Sequence, residues 1–166
     1  MRLYLVQHGD AQPEAVSAER ELSPQGRQDV ERLAGLLGGR GMRVARIFHS
    51  GKTRARQTAE ILAAQLAPGT APEALAGLNP NNPVQPVAAQ ARAWREDTLL
   101  AGHQPFMGRL ATVLVTDRED PPMVAYQPGS VACLESNSAG GWEIVWMLRP
   151  ELLVESRPEA GDGEWV

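Results

Sequence analysis

The sequence predicts an α/β fold, a three-layer sandwich with a mostly parallel central sheet flanked by helices. Three observations predict it. Short apolar runs at residues 2–6, 44–48 and 98–101 alternate with longer segments of helical periodicity. These runs are nearly continuous in apolar character, as in strands buried on both faces. A histidine, His8, His49 or His103, stands at or just past the end of each. A chain of 166 residues suits one domain with a sizeable core. The expected organisation is a single domain over 1–150 and an acidic C-terminal tail over 151–166.

Each element follows from local chemistry. Residues 2–6 (RLYLV) form the first strand and end in Gln7-His8-Gly9. Ser23 is a good N-cap, and Pro24 suits the first helical position, where a missing N–H has no partner to lose. Val30, Leu33, Leu36 and Leu37 recur at helical spacing until Gly38-Gly39 stop the helix. Residues 44–48 form the second strand, ending in His49-Ser50. A helix over 52–66 places Ala55, Thr58, Ala59, Leu62 and Leu66 on one face, and Pro68-Gly69 end it. Residues 79–86 (NPNNPVQP) contain three prolines and three asparagines, and read as an irregular crossing into a helix over 84–94. Residues 98–101 are the third strand, ending in Gly102-His103. Pro105 opens a helix with Phe106, Leu110, Val113 and Leu114 inward. Strands at 130–134 and 142–147 close the domain, joined by a turn through 136–141. From residue 149 the chain is acidic and lacks sustained periodicity. It reads as a tail or an edge-covering arm, disordered past Pro158.

Composition narrows the function classes. Sixteen Lys and Arg against twenty Asp and Glu give a net charge of −4, which argues against nucleic acid as a partner. The single cysteine, Cys133, permits no internal disulfide and fits a reducing compartment. No apolar run approaches the roughly 20 residues of a membrane-spanning helix, and the first ten residues turn polar too early for a signal peptide. A soluble, cytoplasmic protein with no membrane partner is expected. There is no HExxH, GxSxG, GxGxxG or GxxxxGK[ST]. No catalytic metal is therefore expected.

The chemistry concentrates at the strand ends. In an open α/β sheet, ligands bind outside the carboxyl ends of the strands. Three parallel strands would bring His8, His49 and His103 toward one rim. Singly, each reads more readily as a structural histidine than as a catalytic one; the joint pattern favours a site. Gly9 and Gly102 adjoin two of the histidines and permit close backbone approach to a ligand. Ser50-Gly51-Lys52-Thr53-Arg54 opens a helix whose first N–H groups favour an anion, and Arg54 adds a planar fork that matches phosphate.

These residues resemble the histidine phosphatase superfamily, and most closely its small SixA-like phosphohistidine phosphatases. Val6-Gln7-His8-Gly9-Asp10-Ala11 resembles the R-H-G motif, often RHGDA in that branch. Leu22-Ser23-Pro24-Gln25-Gly26 is similar to the L-[ST]-x-x-G helix start. Ser50 through Arg54-Ala55-Arg56-Gln57-Thr58 looks like S-x-x-x-R-A-x-Q-T. Gly102-His103-Gln104-Pro105 resembles the second-histidine motif. The four run in family order across most of residues 1–148. The resemblance implies a phosphoglycerate mutase-like fold. It also implies a phosphatase acting through a covalent phosphohistidine, without cofactors. His8 would be the nucleophile, with Arg54 and His103 stabilising the transferring phosphoryl group; Gln7 and Gly9 would complete the phosphate-binding set.

Gln7 departs from the pattern, because the family carries arginine there. Glutamine keeps an amide donor but loses the charge and the bidentate fork. The missing charge would have to come from Arg2, Arg20 or Arg56. Asp10 is the nearest acid in sequence, and equally a turn residue. Two classes of function stand side by side. One is a phosphatase acting on phosphohistidine or a related phosphoryl compound, so that the partner is a phosphorylated protein or a small phosphorylated substrate. The other is a phosphate-binding regulatory protein whose turnover is lost through Gln7.

Overall fold

The computed structural model of the protein describes residues 1–153. Six strands form one sheet in the order β3-β2-β4-β1-β5-β6. They are β1 (Arg2–Gln7), β2 (Arg46–His49), β3 (Glu73–Ala74), β4 (Thr98–Gly102), β5 (Val131–Ser136) and β6 (Trp142–Leu148). β4 pairs in parallel with both β1 and β2, and β2 with β3. β5 runs antiparallel to β1 and to β6, so it alone opposes the sheet direction. Four helices complete the layers: α1 (Pro24–Gly39), α2 (Thr53–Leu66), α3 (Gln85–Ala93) and α4 (Phe106–Thr116).

The period of two along β1 divides the core. Tyr4 and Val6 face a cluster with Val30, Leu33 and Leu37 of α1 and Ala59, Leu62 and Leu66 of α2. Leu3 and Leu5 face the other, with Val87 and Ala91 of α3 and Phe106, Leu110 and Val113 of α4. This is the predicted three-layer sandwich. The helix starts behave as their sequences dictate: Ser23 Oγ accepts the Gly26 N–H at 3.0 Å, with Pro24 at the first helical position. α4 ends where Asp117 turns left-handed, at φ 59°. Among the described residues no helix is long and apolar enough to cross a membrane.

Two elements were not anticipated. β3 is only two residues long, too short for any periodicity to register. A one-turn 3-10 helix, Pro150–Leu153, follows β6; Pro150 is buried and Leu153 packs on the α1/α2 side of the core. The folded unit thus runs through Leu153, three residues into the segment expected as tail. The rest of that segment, 154–166, and the disorder expected past Pro158 lie outside the described residues.

Candidate active site

His8 is the first residue past β1, and its position is fixed by the sheet. Gln7 stands opposite Gly102 in the β1–β4 ladder, and the His8 N–H donates to the Gly102 carbonyl at 2.9 Å. From the other side the Gly129 N–H bridges the carbonyls of Gln7 and His8 at 3.1 and 3.0 Å. The ring is then oriented by two contacts. His8 Nδ1 lies 2.7 Å from the Gly9 carbonyl, which can only accept, so Nδ1 carries the proton. Arg54 Nε–H, which can only donate, lies 3.1 Å from His8 Nε2. Nε2 is therefore the lone-pair nitrogen, facing a guanidinium.

The loop behind His8 is wedged against α1. A Cβ at Gly9 would lie 2.8 Å from both the Gly26 carbonyl oxygen and Val30 Cγ2. A Cβ at Gly26 would lie 2.1 Å from the Asp10 carbonyl oxygen. Asp10 accepts the Ser23 hydroxyl at 2.6 Å through its carboxylate and the Ser23 N–H at 2.9 Å through its carbonyl. Asp10 thus works as the turn residue that pins the loop to the helix start. Gly9 was expected to face the phosphate. Instead its N–H is taken by Thr58 Oγ1 at 3.1 Å, so its part is to hold His8 rather than to donate to an anion.

α2 brings the charge. Arg54 sits in its first turn, and Lys52 at the N-cap makes no side-chain capping bond. The Ala55 and Arg56 amides donate to the Lys52 carbonyl, whereas those of Thr53 and Arg54 have no partner within the helix, and the positive end of its dipole faces the site. Thr58 ties helix to loop: its hydroxyl donates to the Arg54 carbonyl at 2.8 Å while accepting from Gly9. Gln57 Oε1 accepts the Leu22 N–H at 2.8 Å. The sequence offered Gln57 only as a motif letter and placed Thr58 on the inward helix face without a partner. Both were findable, since polar side chains beside the buried positions of a helix must be satisfied.

His103 follows β4 and closes the site. Its ring centroid lies 4.9 Å from that of His8, edge on. Ser50 Oγ lies 2.6 Å from His103 Nε2, and His103 Nδ1 is buried without a partner among the described residues. Burial lowers the His8 pKa to about 4, helped by Arg54 and Arg20 and opposed by the Gly9 carbonyl. Burial likewise lowers His103 to about 3, with His8 and Arg54 adding to it. Both imidazoles are neutral in the resting site, which leaves the His8 lone pair available.

The other candidates fall elsewhere. His49 is buried and accepts the Gly51 N–H at its Nδ1, 3.0 Å away, so it braces a turn. Arg2 begins β1 at the far end of the sheet and pairs with Glu135. Arg56 is exposed and pairs with Glu60. Gln7 is half-buried, with its Oε1 enclosed and unpartnered. Arg20 lines a cleft of about 400 Å³ with Lys52 and Arg54, beside Glu14 and Glu19. A larger concavity of about 720 Å³ lies between Arg2, Arg40 and Trp146, and no histidine lines it. Among the described residues, no group of three His, Cys, Asp or Glu could hold a metal ion.

Residues 3–80 match the model of the histidine phosphatase superfamily, branch 1. The phosphohistidine phosphatase SixA of Escherichia coli is 28% identical over 155 residues, covering 90% of this chain and 94% of that protein. An uncharacterised protein of Picosynechococcus is 35% identical over 122 residues, covering 69% of this chain and 73% of its own. A solved structure of SixA with tungstate superposes with a TM-score of 0.83 at 26% identity, over 93% of this chain and 100% of that one. Four motifs in order, a neutral histidine pair with an arginine at the sheet rim, and these likenesses lead to one conclusion: the chain belongs to the histidine phosphatase superfamily, among its SixA-like members.

Proposed function

We propose that the protein hydrolyses phosphohistidine or a related phosphoryl compound through a phosphohistidine formed on His8 Nε2. The observation that carries this is the fixed His8 tautomer, with Nδ1–H on the Gly9 carbonyl and Nε2 facing Arg54. The Nε2 lone pair attacks phosphorus as the bond to the leaving group breaks, and the leaving group departs with that electron pair. Positive charge then grows on the ring, and the Gly9 carbonyl, accepting from Nδ1–H, steadies it. Negative charge is spread over the phosphoryl oxygens; Arg54, the His103 imidazole and the α2 amides are the donors that oppose it. Water attacks the phosphoenzyme next, breaking P–Nε2 and releasing inorganic phosphate. Two moderate barriers replace one high one. A nitrogen leaving group is readily protonated near neutral pH, which suits a site where Asp10 is engaged in holding the loop. The SixA of Escherichia coli is named for phosphohistidine, and that likeness favours the same substrate class here.

The rival reading, phosphate binding without turnover, rests on Gln7. One experiment separates them. The purified protein is incubated with radiolabelled phosphoramidate and quenched. Acid-labile, base-stable label should appear on wild type and be absent from His8→Ala, whose turnover should fall to background. Unlabelled wild type with measurable phosphate affinity would favour the rival. Turnover retained in His8→Ala would refute the covalent route.

A further inference from the structure

We propose that Arg20 is the second phosphate-binding cation of this site, taking over the charge that glutamine at position 7 does not supply. The inference rests on the covalent reading above and adds to it a residue outside the R-H-G, R-A and second-histidine motifs.

The argument begins with what a phosphoryl group needs. Its charge is spread over three oxygens, and donors fixed around it in a low-dielectric site count for more than in water. Gln7 brings no charge: its amide offers neutral N–H donors at most, and its Oε1 is enclosed without a partner. A single arginine, Arg54, then stands against the whole group. Of the three arginines that sequence left open, Arg2 is at the far end of β1 on Glu135, and Arg56 is on Glu60. Arg20 alone shares a cleft with Arg54.

Its placement is built rather than incidental. Residues 11 and 22 form an antiparallel bridge, and the Gln12 N–H donates to the Glu21 carbonyl at 2.8 Å. The excursion between them is closed at its base and held to α1 and α2 through Ser23 and Gln57. Within it the Arg20 N–H donates to the Ser17 carbonyl, and Arg20 Nε donates to the Gln12 carbonyl at 3.3 Å. Its two terminal nitrogens make no hydrogen bond or ion pair among the described residues. An arginine tethered at Nε and open at both Nη atoms presents the edge that grips two phosphate oxygens. The backbone is also held at φ 49°, a left-handed conformation that a long side chain adopts only when its surroundings require it. The charge is felt where it matters. Arg20 is among the groups that lower the pKa of His8, His103 and Arg54, whereas Arg56 acts in this way on His49.

The test is a rescue. Arg20→Ala, Gln7→Arg and the double variant are compared for kcat/KM with phosphoramidate and for inhibition by inorganic phosphate, with melting temperature recorded for each. Arg20→Ala should lower kcat/KM at least about tenfold and weaken phosphate inhibition similarly, the scale of one charge-assisted hydrogen bond. Gln7→Arg alone should gain little, because the charge is already supplied. In the Arg20→Ala background, Gln7→Arg should recover much of the loss. Wild-type kcat/KM and phosphate inhibition in Arg20→Ala would overturn the proposal. So would a loss that tracks a fallen melting temperature and is not rescued by Gln7→Arg. Phosphate inhibition reports on Arg20 whether or not a phosphoenzyme forms. Failure of the covalent reading therefore shows separately, as unlabelled wild type or an active His8→Ala.

Discussion

Replacing Gly26 by alanine tests the physical link between α1 and the loop that carries His8. Gly26 lies in the first turn of α1, and its φ is not left-handed, so conformational freedom is not why it is glycine. The reason is contact: an added Cβ would stand 2.1 Å from the Asp10 carbonyl oxygen, 2.7 Å from its carbon and 2.6 Å from its nitrogen. These are backbone atoms, and no rotamer change relieves them. The helix start and the loop must separate by more than an ångström to reach ordinary van der Waals distance. That shift would strain the Asp10–Ser23 bonds of 2.6 and 2.9 Å, and with them the place of His8 two residues earlier. Overpacking of this kind costs roughly 1–3 kcal/mol. In a chain of this size the melting temperature should fall by about 2–4 °C for each of those kilocalories. A displacement near 1 Å at His8, the proposed nucleophile, should lower kcat/KM on the order of a hundredfold. Gly35, in the same helix, is exposed and has nothing within 4 Å of its notional Cβ. Gly35→Ala should therefore stabilise by about 0.5–1 kcal/mol and leave activity unchanged. The assay is calorimetry with steady-state kinetics on both variants. A Gly26→Ala protein with wild-type melting temperature and kcat/KM would refute the reasoning.

Two further outcomes follow from the same geometry. Thr58→Val keeps the shape of a fully buried side chain but leaves the Gly9 N–H without its acceptor, so about 1–3 kcal/mol should be lost in chemical denaturation and kcat should fall; an unchanged midpoint would mean that the Gly9 contact carries no weight. The histidine pair sets a pH dependence whose sign is fixed: both folded pKa values, about 4 and about 3, lie below the unfolded value of 6.5, so the unfolded chain binds more protons between them. Their contribution is fully present above pH 6.5 and is lost as pH falls through 4 to about 3, and ring-proton NMR should show neither His8 nor His103 titrating near 6.5; midpoints close to 6.5 would contradict the buried, neutral pair.

Much of the site was legible because its chemistry is local in sequence. Ser23-Pro24 announces a helix start, and Arg54 in the first turn of α2 reads as an anion contact from four adjacent residues. The glycines were legible only as letters. Gly9 suggests room for a ligand, whereas its room is filled by Val30 and the Gly26 carbonyl, residues 17 to 21 positions away. Which face of an element meets which neighbour is a tertiary fact, and no single-sequence pattern encodes it. Arg20 was one of three equivalent arginines in sequence. The bridge between residues 11 and 22 and the pairing of Arg2 and Arg56 distinguish it.

The case of His49 shows where strand-end reasoning stops. All three histidines terminate or follow parallel strands; motif resemblance set His8 and His103 apart from His49, but strand-end position alone does not. Register does. Val6 and His49 both stand opposite Ala101 of β4, whereas Gln7 stands opposite Gly102. His49 is therefore level with Val6, still inside the ladder, while His8 and His103 lie beyond its last rung. Residues on one rung point to the same face, and Val6 and Ala101 both belong to the core under α1 and α2. His49 must point there too, into the space beneath the turn that opens α2, where its Nδ1 meets the Gly51 N–H. One rung of stagger between β1 and β2 thus decides that two histidines meet past the strand ends and the third is a brace. His49→Gln, which keeps a hydrogen-bond acceptor for the Gly51 N–H, should retain phosphoenzyme formation while lowering the melting temperature modestly. Loss of labelling at unchanged stability would place His49 in the chemistry and would mean that the register argument is wrong.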